Sequence, residues 1–164
     1  RRFAKKLISM AHKKSIEQDA NLCMVMADID RFKSINDTFG HDKGDTILIN
    51  VSKLISDFIS EDDIAVRWGG EEFLLILTNT NEQQAFAKIE ALRQQIAELD
   101  AHPDFPDLTI TMSFGLIEWQ PLAPIEKMLQ HADTALYQSK HLGRNQTTVA
   151  KGSNPTFDDI DAVS

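Results

Sequence analysis

The sequence predicts one α/β sandwich, a mixed sheet flanked by helices, and three observations carry that prediction. The run Leu22–Ile29 is apolar almost without a break, as a central strand covered on both faces must be. Two strand-like runs, 64–68 and 73–77, meet at Gly69-Gly70 in the middle of the chain, a hairpin signal that rules out a purely parallel sheet. Apolar residues recur at helical spacing in the segments between strands.

The elements follow in order. Phe3, Leu7, Ile8 and Ala11, with lysines between them, predict an amphipathic helix ending near Lys14. After the strand Leu22–Ile29, a short helix over Phe32–Phe39 stops at Gly40, read as a left-handed cap. Asp42 opens a long helix whose apolar set includes Ile47, Leu48, Val51, Leu54, Ile55 and Phe58, with Ser52, Lys53, Ser56 and Asp57 opposite. The two adjacent glycines of the hairpin would accept the positive φ of a tight turn. Ala85, Phe86, Ile89, Leu92, Ile96 and Leu99 mark another helix, followed by a loop carrying Pro103 and Pro106. Leu108, Ile110, Met112, Phe114 and Leu116 alternate with Thr109, Thr111, Ser113 and Gly115, predicting a strand that buries one face only. A last helix uses Ile125, Met128, Leu129, Ala132, Ala135 and Leu136, with Tyr137 also assigned to the core, and a short strand over Thr147–Val149 closes a sheet of five strands.

With 164 residues and 42% hydrophobic content, the chain suits one domain over residues 1–150. The remainder, 151–164, is small, polar, acidic and aperiodic, and is expected to be a disordered tail. A formal net charge of -8 argues against non-specific nucleic-acid binding, which needs a basic face to neutralise phosphates. A lone cysteine, Cys23, cannot form an internal disulfide and fits a reducing, cytoplasmic setting. No stretch approaches the ~20 apolar residues that span a bilayer, so no membrane contact by this segment is expected. The chain opens on Arg1-Arg2-Phe3 within a predicted helix, which suggests a domain cut from a longer protein, itself either free or membrane-tethered.

Carboxylates gather at two places: Asp28 and Asp30 at the end of the first strand, two residues apart and so on one face, and Glu71 and Glu72 beside the Gly-Gly turn. A hard cation such as Mg²⁺ takes one or two carboxylates plus phosphate oxygens, and a strand end and a hairpin tip can meet in such a sheet. The alternative is a set of exposed loop acids. A calcium EF-hand is excluded, because counting from Asp28 places Lys33 at the sixth position, where glycine is required, and Phe39 at the twelfth.

Four ordered motifs then carry a resemblance. Residues 28–45, Asp28-Ile29-Asp30-Arg31-Phe32-Lys33 through Asn36-Asp37 and Gly40-His41 to Gly44-Asp45, resemble the DxDxFKxxND-xxGHxxGD signature of GGDEF-domain diguanylate cyclases. Arg67-Trp68-Gly69-Gly70-Glu71-Glu72-Phe73 is similar to that family's hairpin, Thr111-Met112-Ser113-Phe114-Gly115 to its TxSxG strand, and the segment from Ala132-Asp133 through Lys140 to Gly143-Arg144-Asn145 to its ADxALYxxKxxGRN ending. The resemblance implies a palm-like nucleotidyl-cyclase fold with a largely antiparallel sheet. It implies an enzyme that condenses two GTP into cyclic di-GMP and two pyrophosphates, with Mg²⁺ (or Mn²⁺), as a homodimer, under an upstream sensor.

Site residues carry over position by position. Asp28, Glu71 and the carbonyl of Ile29 would hold the metal, with Glu71 also the base for the attacking hydroxyl. Lys33 would stabilise charge on the phosphates, with the backbone at Phe32 helping to cradle them. Asn36 and Asp45 would read guanine; His41 and Arg67 belong to the GTP pocket. Lys140 and Arg144, one helical turn apart if the helix extends that far, would hold the terminal phosphates. Asp30 and Glu72 would orient the metal ligands or bind a second ion. Structural alternatives stay open: Asp45 as a first-turn helix acid, Asn36 as a turn residue, Arg67 paired to a nearby acid, Arg144 as a solvated charge. The family's RxxD product-inhibition site aligns with Ser60-Glu61-Asp62-Asp63, where only the aspartate survives as Asp63, so weak feedback inhibition is expected. The rival reading is a catalytically silent module that binds GTP or cyclic di-GMP.

Overall fold

In the computed structural model, which describes residues 1–151, the chain runs α1 (Arg2–Glu17), β1 (Leu22–Ile29), α2 (Phe32–Phe39), α3 (His41–Phe58), β2 (Ile64–Arg67), β3 (Glu72–Thr78), α4 (Glu82–Ala97), β4 (Met112–Glu118), α5 (Ile125–His141) and β5 (Thr147–Val149). The expected tail, Lys151 apart, lies outside the described residues.

The strands form one sheet in the order β2-β3-β1-β4-β5. All pairings are antiparallel except β4 with β5, which makes the sheet mixed and largely antiparallel as expected. Every residue of β1 is buried because it is the central strand with a helix layer on each face. On one face Cys23, Val25, Ala27 and Ile29 pack with Ile47 and Val51 of α3 and Ile89 and Leu92 of α4. On the other, Leu22, Met24 and Met26 pack with Ile8 of α1 and Met128, Ala132 and Leu136 of α5. Each such fully buried aliphatic side chain contributes about 1.5–3 kcal/mol, so these two layers hold the fold. Strand alternation puts Asp28 and Asp30 in phase with the second face, beneath the C-terminal end of α5.

The departures from expectation have local causes. Helix α1 continues to Glu17, a turn past Lys14, because Ala11 and Ser15 keep the inward phase. Gly40 has φ +93° but ψ 159°, a positive-φ kink between α2 and α3 and not a left-handed helical cap, and α3 starts at His41, one residue before Asp42. Neither Gly69 nor Gly70 has positive φ. The connection is a four-residue loop, Trp68 to Glu71, closed by the Trp68 N–H donating to the Glu72 carbonyl (2.8 Å), so no two-residue turn is formed.

Strand β4 begins at Met112, four residues later than the alternation suggested, and is buried on both faces. Its polar-looking positions exist for close packing: a Cβ on Gly115 would lie 2.1 Å from the Ala132 carbonyl oxygen and 2.2 Å from the Leu136 nitrogen of α5. Tyr137 is not core; it is 60% exposed, its ring against His141. Phe86 is likewise exposed on α4, whereas Ala135 and Leu136 are buried.

Candidate active site at the end of β1

The backbone brings the two carboxylate pairs to one corner. Asp28 lies across the ladder from Glu72, and the Ile29 N–H donates to the Glu71 carbonyl at 3.2 Å, so the end of β1 runs alongside the hairpin. On its other side Asp28 faces Ser113 of β4. Asp28 is buried, and its Oδ2 accepts from Lys140 Nζ at 2.8 Å. Burial pushes its carboxyl up to about 6; Lys140 works against that, and the charges of Glu71 and Glu72 add to it. Burial is the largest cause, and Lys140 is the one cation among the described residues that opposes it.

Asp30 is different. Its Oδ2 accepts from the Thr111 hydroxyl (2.7 Å) and the Asn145 N–H (3.0 Å), and its Oδ1 from the Ser113 hydroxyl (2.6 Å). Both oxygens are occupied by protein donors, which ties β1 to β4 and to the turn after α5.

Beyond Asp30 the chain reverses through Arg31, a left-handed residue (φ 55°), and enters α2 with no side-chain cap. The first N–H groups of a helix lack intrahelical partners, so the N–H groups of Phe32, Lys33 and Ser34 open a concave set of donors suited to an anion. The Phe32 ring is core, which leaves only its backbone for such a role, while Lys33 is exposed beside it.

Helices α2 and α3 then pack with Asn36 lying over Gly44: a Cβ on Gly44 would fall 1.8 Å from Asn36 Oδ1. That oxygen is buried and accepts no hydrogen bond, a cost of about 1–3 kcal/mol unless a ligand donor meets it. Asp45, next in the chain, is exposed and shares with Leu48, Ile49, Ser52 and Arg67 an open groove of about 450 Å³. Among the described residues Arg67 pairs with no acid; its Nε donates to the Gly70 carbonyl at 2.8 Å, bracing the loop one residue before Glu71. His41 is exposed at the head of α3.

Lys140 and Arg144 are not on one helix. Helix α5 ends at His141, and Gly143, Arg144 and Asn145 follow with φ of 118°, 65° and 45°. A left-handed non-glycine residue costs roughly 1–2 kcal/mol, so two in succession need outside support. Part of it comes from α4, where Arg93 Nη1 donates to Asn145 Oδ1 at 2.9 Å and the guanidinium is itself held by Glu90 at 2.6 Å. Sequence reasoning missed Arg93, since Glu90 and Arg93 at i,i+3 read as a solvated helix pair. It also missed Arg1, whose Nε donates to the Trp68 carbonyl (3.1 Å) with its guanidinium over the Trp68 ring.

Among the described residues no three acidic, histidine or cysteine side chains are grouped as a complete metal cage. What the backbone does set side by side is the end of β1, with Asp28 and Ile29, and the Glu71-Glu72 end of the hairpin, whose charges act on Asp28. That fits a cation such as Mg²⁺, which takes few protein ligands and completes its shell from phosphate and water.

Comparisons with known proteins identify the family and the fold. Residues 1–146 match the family described as "Diguanylate cyclase, GGDEF domain". Diguanylate cyclase A of Treponema denticola is 39% identical over 140 residues, which is 85% of this chain and 38% of that protein. The chain spans well under half the length of the curated relatives it matches. The crystal structure of the GGDEF domain of DgcB from Caulobacter crescentus in complex with c-di-GMP superposes with a TM-score of 0.82 at 32% identity, over 90% of this chain and 88% of that one. The structure of the active GGEEF domain of a diguanylate cyclase from Vibrio cholerae gives 0.80 at 34%, over 88% and 92%. With a family match over almost its whole described length and the same sheet underneath, this chain belongs to the GGDEF domain family of diguanylate cyclases.

Proposed function

We propose that this domain condenses two GTP molecules into cyclic di-GMP, working as one half of a two-fold pair. The observation that carries this reading is the juxtaposition of Asp28 and Ile29 with the Glu71 backbone, next to the open N–H groups of α2. Carboxylates for a cation and amides for phosphates stand side by side, as phosphoryl transfer requires.

In this reading the 3′-hydroxyl oxygen of one GTP attacks the α-phosphorus of the other. The bond to the β-phosphate breaks, pyrophosphate leaves with the electron pair, and the hydroxyl proton passes to Glu71. Mg²⁺, held by Asp28, Glu71 and the Ile29 carbonyl, would supply Lewis-acid stabilisation of charge on the phosphate oxygens. Lys33 and the α2 amides bind the same phosphates, and Lys140 and Arg144 the terminal ones. The unmet Asn36 Oδ1 accepts from an exocyclic guanine donor, and Asp45 from the remaining guanine N–H groups. Arg67 holds the hairpin loop and borders the same groove as Asp45. His41, exposed at the head of α3, is assigned to the same GTP pocket. Asp30 acts as a support and not as a ligand of a second ion, because its oxygens are taken; Glu72, opposite Asp28, adds negative charge behind the metal ligands.

One GTP per domain cannot close the cyclic product, so two copies must face each other. An upstream sensor segment is expected to control that pairing, in a cytoplasmic setting consistent with the buried Cys23, whose thiol burial pushes up to about 12. Incubation with GTP and Mg²⁺, with products separated by chromatography, tests the proposal. Cyclic di-GMP should accumulate, with a specific rate that rises with protein concentration. A folded, GTP-binding pair that makes none refutes the enzyme and leaves the silent module.

Weak product inhibition belongs to the same proposal. Asp63, the remnant of the RxxD site, is engaged by Lys88 Nζ at 2.7 Å and by the Thr78 and Ser60 N–H groups. Its carboxylate is spent on the fold, and Ser60 offers no guanidinium fork. Micromolar cyclic di-GMP should leave the rate unchanged; inhibition non-competitive with GTP would contradict this.

A further inference from the structure

We propose that Arg93 is a positioning residue for GTP, acting through the Gly143-Arg144-Asn145 turn that Asp30 also ties down; this rests on the reading of Arg144 as a ligand of the terminal phosphates. The turn holds three successive positive-φ residues, two of them not glycine. Such a backbone persists only where its surroundings over-determine it.

The surroundings do so from both faces of the sheet. From the end of β1, Asp30 Oδ2 accepts the Asn145 N–H at 3.0 Å, and Asp30 is itself fixed by the Thr111 and Ser113 hydroxyls. From α4, which packs on the face opposite α5, Arg93 Nη1 donates to Asn145 Oδ1 at 2.9 Å. Arg93 cannot swing away easily, because its Nε and Nη2 both donate to Glu90 Oε2, at 2.8 and 2.6 Å.

Within the turn, the Arg144 N–H donates to the Ser139 carbonyl at 2.9 Å, and the Arg144 carbonyl accepts from Gln146 Nε2 at 3.0 Å. The backbone of Arg144 is therefore engaged at both of its polar groups. Its guanidinium, by contrast, has no protein partner among the described residues. A braced backbone carrying an unengaged fork is the arrangement expected of a group held ready for an anion, since pre-setting the backbone lowers the ordering cost of binding. Glu90 and Arg93 touch none of the proposed GTP ligands directly, so any effect they have on GTP must pass through Asn145.

A double-mutant cycle tests this, read by calorimetric titration with a non-hydrolysable GTP analogue and Mg²⁺, with thermal melts to confirm folding. Arg144→Ala should weaken binding about 10-fold, and Arg93→Met about 3-fold to 10-fold. Combining them should weaken binding no further than Arg144→Ala alone, within about 1.5-fold. Asn145→Gly, which tolerates the left-handed conformation but removes the Arg93 acceptor, should reproduce Arg93→Met and carries the test if that variant does not fold. If Arg144→Ala weakens binding and Arg93→Met either does nothing or multiplies with it, the positioning role is overturned while the phosphate reading stands. If Arg144→Ala leaves binding unchanged, the phosphate reading of Arg144 itself falls and the positioning role with it.

Discussion

Two aspartates in this domain look alike and are not. Asp28 and Asp63 are each paired with a single lysine, Lys140 at 2.8 Å and Lys88 at 2.7 Å, and each side chain is almost wholly buried. Asp63 also accepts from the Thr78 N–H, the Thr78 hydroxyl and the Ser60 N–H. Burial alone would raise its pKa, but Lys88 and the two backbone donors outweigh it and hold the carboxyl below its ordinary value. Asp28 receives no comparable help and stands near two further carboxylates, so burial wins and its pKa rises. A satisfied buried charge is a structural tie. An undersupplied one is what the proposed metal site calls for, since a bound cation would favour its ionised form.

Exchanging each aspartate for asparagine separates the two roles. Asp28→Asn should lower cyclic di-GMP synthesis by about 10³-fold, the scale expected when a metal-ligand carboxylate is lost, while the thermal midpoint stays level or rises because a crowded charge has been removed. Loss of the fold with loss of activity would make Asp28 another structural tie. Asp63→Asn should do the reverse. Its amide would set a donor against Lys88 or the Ser60 N–H, costing about 2–3 kcal/mol in urea denaturation, with activity per folded molecule retained.

That contrast was only half legible in the sequence. Strand Leu22–Ile29 announced itself because both its faces are buried, and the hairpin because two runs flank Gly69-Gly70. The acids at both places could be named as candidates, since residue type and position suit a cation site, although they suit exposed loop acids as well. What fills the space around each acid could not be read. Lys140 reaches Asp28, and Thr111, Ser113 and Asn145 reach Asp30, from residues more than eighty positions away. Gly115 misled for a related reason: alternation with glycine mimics a strand with one exposed face, yet the missing side chain is the space that α5 fills. Tyr137 misled in the opposite direction, as an aromatic neighbour of two core residues that turns outward on the next helical step. Positive φ was expected at Gly40 and at Gly69 and Gly70; the chain has it at Gly40, though not as a helical cap, and not at the hairpin glycines, and has it also at Asp19, Arg31, Asn79 and the turn after α5.

Acid sharpens the comparison at the Asp63 end. A carboxyl whose folded pKa lies below its unfolded one contributes stability that is present above the unfolded value and lost as pH falls through the folded one. Asp63 should therefore add to the steepness of acid unfolding below about pH 4, and Asp63→Asn should flatten that limb while leaving the slope above about pH 5 unchanged. An unaltered acid limb would mean that the Lys88 pair and the backbone donors do not favour the ionised form.

The smallest expected effect decides how much of the Asp63 tie belongs to the ion pair. Lys88→Met removes the ammonium but leaves the Thr78 N–H, Thr78 hydroxyl and Ser60 N–H on the carboxylate. Three remaining donors keep the buried charge solvated by the protein, so the cost should be only about 1 kcal/mol, less than half that of Asp63→Asn. Lys88 also donates to the Ser60 hydroxyl, an exposed contact worth little. If Lys88→Met instead costs as much as Asp63→Asn, the lysine and not the backbone carries the tie. The two aspartates would then differ chiefly in their distance from Glu71 and Glu72, and not in their hydrogen-bond supply.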